Sequence, residues 1–308
     1  MPRKCRAVLD IGSNSVRLLV VQWDGEQAHC IFWDKITTRL IAGMENGLLQ
    51  PDAIARTAKA LEQLTRHARA LGADVLAFGT SAMRDARNSG LLIEECRPFL
   101  PHIRILSGDE EADLAYAGAA PADRRGVIDI GGGSTELMVG EDGVRLSARS
   151  FQLGAVRLCE AMPGCSDPAD LRQAALSQLQ RGREGIAPYL PLSWVGVGGT
   201  VTALAALDLG LPRYDPLRIQ DHPLTARFVH RSLETLCAMS PAERAALPAI
   251  GPQRSDIIPC GAAILSAFFE LFEVDGLLVS DRDNLMGCLK KYAFPPDFCA
   301  VQNPGRPP

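Results

Sequence analysis

Short apolar runs punctuated by glycine and small polar residues predict alternating strands and helices. Residues 6–23 hold two such runs around Gly12-Ser13-Asn14-Ser15 and read as a hairpin, with Gly25 marking a turn. Cys30–Thr38 reads as a third strand of a mixed sheet, and Arg39 to Gln50, with Gly43, Asn46 and Gly47, as a loop. Pro51 then opens a helix to Leu71 that Gly72 closes, with proline just inside the start and glycine just past the end. Ile54, Ala58, Leu61, Leu64, Ala68 and Leu71 form its buried stripe. Val75–Phe78 is a buried strand running through Gly79-Thr80-Ser81 into a helix that carries Arg84 and Arg87. Ile103–Leu106 is another strand, and Ser107 starts a helix to about Tyr116.

Residues 119–125 form a boundary, after which the pattern starts again. Val127–Ile130 and Leu137–Val139 are apolar strands around Gly131-Gly132-Gly133-Ser134-Thr135. A strand near Arg145–Phe151 follows, then Gln152–Arg157 and a helix capped by Asp167-Pro168 and running to about Gly182. Ser193–Val197 is a strand feeding Gly198-Gly199-Thr200 and a helix over Val201–Leu207. Residues 208–222 read as loop, and helices are expected at about 224–239 and 241–247. An apolar helix over Ile257–Phe272 takes Asp256 as its expected cap. A strand at 276–280 and a short helix over Asp283–Tyr292 follow. The proline-rich end, 297–308 at its narrowest, is expected to be a disordered tail.

The two hairpins are related to each other. Residues 7–20 laid over 126–139 place Asp10 on Asp129, Gly12 on Gly131 and Ser15 on Ser134, with seven of fourteen positions identical. The constant offset of 119 residues is domain-sized and too long for a solenoid unit. The chain therefore divides into domain one, 1–122, completed by the terminal helix 289–296, and domain two, 123–288. Two such halves would set two hairpins face to face across an interdomain cleft, where small-molecule sites usually lie.

The chemistry on these turns points to phosphate. Three consecutive glycines let backbone N–H groups turn toward an anion without Cβ interference. Ser134 and Thr135 add hydroxyl donors, and Asp129 and Glu136 at the strand mouths are placed to hold a hard cation. A glycine-rich hairpin with no ligand is the competing reading. Arg84 opposes the dipole of its helix, so an anionic partner would explain it. Asp109, Glu110 and Glu111 are ordinary first-turn acids, or one of them is a general base held ionised by the helix N-terminus.

Bulk numbers narrow the class. A chain of 308 residues, 47% hydrophobic and 22% charged, suits two soluble domains. A net charge of −4 argues against general nucleic-acid binding, so an anionic substrate must be held by local geometry. Nine cysteines occur without a C-x-x-C or zinc spacing, as scattered thiols of a reducing cytoplasm would. Neither a signal-peptide core nor a membrane-spanning run is expected.

The motifs Asp10-Ile-Gly-Ser-Asn-Ser15, Gly79-Thr-Ser-Ala-Met-Arg84, Ser107-Gly-Asp-Glu-Glu-Ala112, Asp129-Ile-Gly-Gly-Gly-Ser-Thr-Glu136 and Gly198-Gly-Thr200 resemble, in order and spacing, the exopolyphosphatase/guanosine pentaphosphate phosphohydrolase (Ppx/GppA) family. The resemblance spans about residues 6–290. It implies an α/β fold of two ribonuclease-H-like domains of the actin/hexokinase/Hsp70 superfamily. It also implies Mg²⁺-dependent hydrolysis of a terminal phosphoanhydride. Glu111 matches the catalytic base, and Asp129 and Glu136, with Asp10, match the acidic residues associated with Mg²⁺. Gly12, Ser13, Asn14, Ser15, Gly131, Gly132, Gly133, Ser134 and Thr135 match the two phosphate loops. Thr80, Ser81 and Arg84 match a phosphate-contacting turn, and Gly199 and Thr200 a third turn. Inorganic polyphosphate is the first expected substrate and guanosine pentaphosphate (pppGpp) the second. A monovalent cation such as K⁺ and a homodimer are compatible with the resemblance.

Two departures qualify it. The family's Ser-Asp-x-x-Leu-Arg-x-Gly segment reads Ser280-Asp281-Arg282-Asp283-Asn284-Leu285-Met286-Gly287, with Leu285 at the Arg position. The resemblance is to the short form, without the C-terminal HD-like extension of longer members. Two rival classes follow: a superfamily kinase or ATPase, which would use an Asp elsewhere as its base, and a non-catalytic nucleotide or polyphosphate sensor, with Leu285 as its motive.

Overall fold

The computed structural model describes residues 4–23, 28–119, 124–190 and 192–293. The expected tail lies outside them. The chain forms two units: one runs to Gly118 and resumes at Asn284, and the other spans Ala119–Asp283.

The first unit holds β1 (Lys4–Ile11), β2 (Ser15–Trp23), β3 (Ala28–Thr37), α1 (Pro51–Ala70), β4 (Ala73–Gly79), α2 (Ser81–Asp85), α3 (Ser89–Cys96), β5 (Arg104–Ile105) and α4 (Gly108–Ala119). Its sheet runs β3-β2-β1-β4-β5. β1, β2 and β3 pair antiparallel, whereas β4 and β5 continue the sheet in parallel. β1 is central, so Ala7, Val8, Leu9 and Ile11 are all buried and the strand reads as a continuous apolar run.

The second unit repeats this order with β6 (Arg125–Ile130), β7 (Thr135–Glu141), β8 (Val144–Phe151), α5 (Ala155–Ala161), α6 (Pro168–Leu179), β9 (Ser193–Val197), α7 (Gly198–Asp208), α8 (Pro216–Ile219), β10 (Pro223–Thr225), α9 (Ala226–Ala238), α10 (Pro241–Ala246), α11 (Ile258–Phe272) and β11 (Gly276–Val279). Its sheet runs β10-β11-β9-β6-β7-β8. β6, β7 and β8 correspond to β1, β2 and β3, and β6 pairs parallel with β9 as β1 does with β4. The duplication seen in fourteen residues thus extends through the strand order. Each unit is a mixed sheet flanked by helices.

α11 is apolar on every side from Ile258 to Phe269 and buried throughout that span, as an all-round hydrophobic helix must be. Trp194 on β9 meets Phe268 edge-on at 4.8 Å between ring centroids. A Cβ at Gly126 on neighbouring β6 would enter the Trp194 ring, so the glycine makes room for it.

Five local expectations change. α2 ends at Asp85, so Arg87 lies beyond the helix, its N–H donating to the Gly47 carbonyl. α11 starts at Ile258 with Ile257 as its N-cap residue and no side-chain cap, so Asp256 does not cap it. α3 and α5 are helices that the sequence pattern does not mark, and residues 208–222, read as loop, include α8, which Asp215 caps. The last helix, α12 (Asn284–Cys288), continues as a π-type turn over Leu289–Ala293 and belongs to the first unit from Asn284 onward. The reason is packing: Leu285, Met286, Cys288 and Leu289 join Val8, Leu19, Val21, Phe78, Leu106 and Leu114 in one core. Gly287 sits against the Leu114 carbonyl with no space for a side chain. Leu285, at the family's Arg position, is therefore a core residue of the first unit, only 2% exposed.

Candidate functional site

In the first unit, the β1–β2 turn is closed by the Gly12 N–H donating to the Ser15 carbonyl at 3.1 Å. The carbonyls of Ser13 and Asn14 point at the segment after β3. Ser13 accepts from Ile41 N–H, and Asn14 from Thr38 and Arg39 N–H. In a planar trans peptide the N–H opposes the C=O. The amides of Asn14 and Ser15 are therefore turned away from that segment, where an anion could meet them.

The Ser13 and Ser81 hydroxyls lie 2.9 Å apart and buried, joining this turn to the start of α2. Thr80 anchors the same junction through its N–H, 3.2 Å from the Ile11 carbonyl. From α2, Arg84 donates to Glu111 Oε2 at 2.8 Å and to the Leu106 carbonyl at 3.2 Å.

Glu110 and Glu111 have separate tasks. Glu110 accepts from the Ser107 N–H at 2.9 Å while the Ser107 hydroxyl accepts from the Glu110 N–H at 3.2 Å. That reciprocal pair is a capping box, and Glu110 also pairs with Arg104 at the surface. Glu111 is the inward residue of the next position, buried beside Arg84. Burial pushes its carboxyl up to about 7, with Asp10 adding to the rise, while Arg84 and Arg17 hold it down. A carboxylate whose pKa lies near neutral pH is suited to taking a proton from water.

The sign of the consequence is fixed. The folded protein keeps a proton on Glu111 that the unfolded chain releases near 4.5, the ordinary value. This group's contribution to stability is therefore present at low pH and lost as pH rises toward 7. Activity that needs the ionised form runs the other way and grows along an acid limb ending near 7. Removing the Arg84 cation in Arg84→Ala should move that limb to higher pH, because the largest influence opposing the rise is gone. A kcat–pH profile checks this.

Asp10, aligned with Asp129, is committed differently. It faces Arg17 across the β1–β2 pair and is bonded by two guanidinium nitrogens, Nε at 3.0 Å. Arg17 falls on Glu136 in the internal repeat. One hairpin thus carries an acid with a base opposite, and the other two acids. That repeat mismatch was the available signal for Arg17.

In the second unit the Gly131 N–H donates to the Ser134 carbonyl at 2.9 Å, the same closure as in the first. The carbonyl of Gly131 accepts from Ala155 N–H, that of Gly132 from Val156 and Arg157 N–H, and that of Gly133 from Arg157 Nε. Three successive carbonyls thus face α5, so the amides of Gly132, Gly133 and Ser134 face away from it. Successive amides turned to one side are the geometry an anion-binding nest requires.

Thr135 behaves otherwise. It is fully buried and its hydroxyl donates to the Leu153 carbonyl, so it braces the strand and offers no hydroxyl to a phosphate. Asp129 and Glu136 are direct partners across β6 and β7, on one face and buried, and Glu136 accepts from the Ser150 hydroxyl at 2.8 Å.

The third turn, Gly198-Gly199-Thr200, is the first turn of α7. Gly198 has φ of +88°, and a Cβ there would come within 2.5 Å of Asp129 Oδ1, so only glycine suits the position. Arg254 donates to the Gly199 carbonyl. Thr200 is buried against Gly261 of α11. Gly154, Arg157 and Arg254 shape these turns without a motif of their own to announce them.

Among the described residues no group of three or more His, Cys, Asp or Glu is arranged to hold a metal ion. Two facing carboxylates nevertheless fit Mg²⁺, which is usually held by one or two carboxylates with waters and substrate phosphate oxygens. Asp129 and Glu136 meet that description, whereas Asp10 is engaged by Arg17. No described helix is long and apolar enough to cross a membrane.

Comparison with known proteins accords with these features. The Ppx/GppA phosphatase family profile matches residues 19–284, and the chain belongs to that family. Among curated relatives it is 33% identical to a Mycobacterium tuberculosis protein named Exopolyphosphatase 2, over 91% of this chain and 96% of the relative. It is 29% identical to an Aliivibrio fischeri guanosine-5'-triphosphate,3'-diphosphate pyrophosphatase, over 89% of this chain but 56% of that longer protein. Among solved structures, an Aquifex aeolicus member of the Ppx/GppA family superposes with a TM-score of 0.80 at 27% identity, covering 97% of this chain and all of the other. The chain is thus a hydrolase of phosphorus-containing anhydrides.

Proposed function

We propose that the protein is an exopolyphosphatase, which removes the terminal phosphate of inorganic polyphosphate with Glu111 as general base. The observation that carries this reading is the division of labour between adjacent glutamates: Glu110 closes the capping box, which frees Glu111 to sit buried against Arg84. Hydrolysis of a terminal phosphoanhydride needs a placed water, neutralisation of the phosphoryl oxygens and an in-line approach.

Glu111 takes the proton as the water oxygen bonds to the terminal phosphorus. The bridging P–O bond breaks and the shortened chain leaves. Arg84 and the outward amides of the first glycine turn meet the phosphoryl oxygens. In the second unit the amides of the triple-glycine turn are a further anion-binding feature, and Asp129 and Glu136 would hold Mg²⁺, which would supply charge neutralisation. The name and near-complete mutual coverage of the mycobacterial relative support polyphosphate. The second reading, pppGpp 5'-phosphohydrolysis, is favoured by relatives of that name, of which this chain spans 56%.

Phosphate release with Mg²⁺ from polyphosphate, pppGpp and ATP, measured side by side, tests the proposal. Polyphosphate turnover well above the other two is expected. Preference for pppGpp selects the second reading, and binding without turnover on all three overturns hydrolysis in favour of a sensor.

A further inference from the structure

The three strands of each glycine hairpin carry a ladder of facing side chains beside the turn. In the first unit the ladder runs Asp10, Arg17, Lys35 across β1, β2 and β3. In the second it runs Asp129, Glu136, Ser150 across β6, β7 and β8. Residues directly opposite on antiparallel strands project to one face and interact. The first ladder sets one acid against the Arg17 guanidinium, with a lysine one strand further out. The second sets two carboxylates side by side, 8% and 2% exposed, and ends in a hydroxyl.

The Ser150 hydroxyl donates to Glu136 Oε1 at 2.8 Å. A hydroxyl has one proton to donate, and here it goes to that oxygen. The bond fixes the carboxylate about its last torsion, which is otherwise broad and weakly restrained. It also makes the two oxygens of Glu136 unequal. A cation that uses both must share Oε1 with this proton, whereas a cation that uses one oxygen need not. Ca²⁺ accepts carboxylates through one oxygen or both, in a flexible shell of about six to eight ligands. Mg²⁺ demands a near-octahedral set at shorter distances, which the narrow bite of a two-oxygen carboxylate distorts.

We infer that Ser150 is a positioning residue for Glu136, whose hydroxyl holds that carboxylate for one-oxygen binding and so favours Mg²⁺ over Ca²⁺. Ser150 thereby deepens the reading of Asp129 and Glu136 as the Mg²⁺ carboxylates, on which its role rests. Removing a group that is hydrogen-bonded to a metal ligand typically changes metal affinity about 10- to 100-fold. Loss of the hydroxyl in Ser150→Ala loosens Glu136 and takes away the proton that competes for Oε1. Mg²⁺ then loses the fixed single oxygen. Ca²⁺ loses the same support but gains easier use of the second oxygen. Ser150 is exposed on the outermost strand of its sheet, so its replacement leaves the buried core in place.

Mn²⁺ binding to the full-length protein, without substrate, is followed by electron paramagnetic resonance, with Mg²⁺ and Ca²⁺ each titrated in as competitor. In Ser150→Ala the ratio of Mg²⁺ to Ca²⁺ affinity should fall about 10-fold or more. Ser150→Thr keeps the hydroxyl on a residue that suits a strand and should restore the ratio. Ser147→Ala is the control: its hydroxyl lies on the same strand but donates to the Gly185 carbonyl at 3.0 Å, and its loss should leave the ratio unchanged. A ratio unchanged in Ser150→Ala, not restored in Ser150→Thr, or equally lowered in Ser147→Ala overturns the role of Ser150 and leaves the carboxylate reading standing. If the wild-type chain binds none of the three ions, or Glu136→Gln binds them as the wild type does, the carboxylate reading falls and the role of Ser150 falls with it.

Discussion

Glu111→Gln is expected to lower kcat about 100- to 10,000-fold with little change in KM. The amide keeps the shape of the carboxylate and its place beside Arg84, and Glu110 continues to cap α4 through Ser107. What is lost is the ability to take a proton from water, so the effect falls on turnover rather than binding. The neighbouring variant Glu110→Gln is the control. It weakens a surface ion pair and a cap, interactions worth about 1 kcal/mol or less each, and should leave kcat within a few-fold of the parent. Steady-state rates and substrate binding on all three proteins check the pair. Undiminished turnover in Glu111→Gln would remove this residue from the chemistry. The same variant should abolish the stability loss expected as pH rises toward 7, because the buried group no longer titrates. Melting temperatures over that range supply a readout independent of substrate.

The adjacency of Glu110 and Glu111 also shows where the sequence stops being informative. Three acids in one first turn are equivalent to any rule about helix dipoles, and only the family resemblance singles one out. The structure separates them because a capping box needs an acid three residues after Ser107, which sends the next residue inward. The hairpins were legible for the opposite reason: alternating apolar runs around glycine leave few alternatives, and the repeat at 119 residues supplied a second copy. Short helices were not. α5 has seven residues, too few for a helical period to stand out, yet it carries every amide that holds the triple-glycine carbonyls.

Leu285 shows a different limit. Its departure from the family's Arg was visible, but its consequence depended on whether α12 packs with the first unit, which only tertiary contacts decide. Asp256 looked like a cap by composition. α11 instead starts two residues later at Ile258 with Pro259 in its first turn, and the Asp256 carbonyl accepts the Cys159 thiol.

Gly154→Ala should be nearly as damaging to activity as loss of the base, although residue 154 contributes no side chain. A Cβ at this position would lie 2.5 Å from the Gly133 nitrogen and closer still to the Gly132 carbonyl. The three nearest atoms are all backbone, so no flexible side chain can yield. The backbone at 154 is extended, with φ of −132°, so alanine suits the local conformation and the penalty is wholly steric. Either α5 retreats, loosening its bonds to the Gly131 and Gly132 carbonyls, or the turn shifts and re-aims the amides of Gly132, Gly133 and Ser134. Overpacking of this kind costs about 1–3 kcal/mol of stability. Displacement of positioning groups by about 1 Å can cost about 100-fold in rate. The expected result is therefore a protein that folds, melts earlier and loses about 100-fold in kcat/KM. Gly90→Ala is the matched control, since a Cβ there meets nothing within 4 Å. It lies within α3, where alanine is the better helix former, and it should leave rate unchanged and stability equal or slightly higher. Thermal melts and phosphate-release rates on the two variants separate the cases. Full activity in Gly154→Ala would mean that the carbonyl anchoring by α5 does not set the direction of the amides.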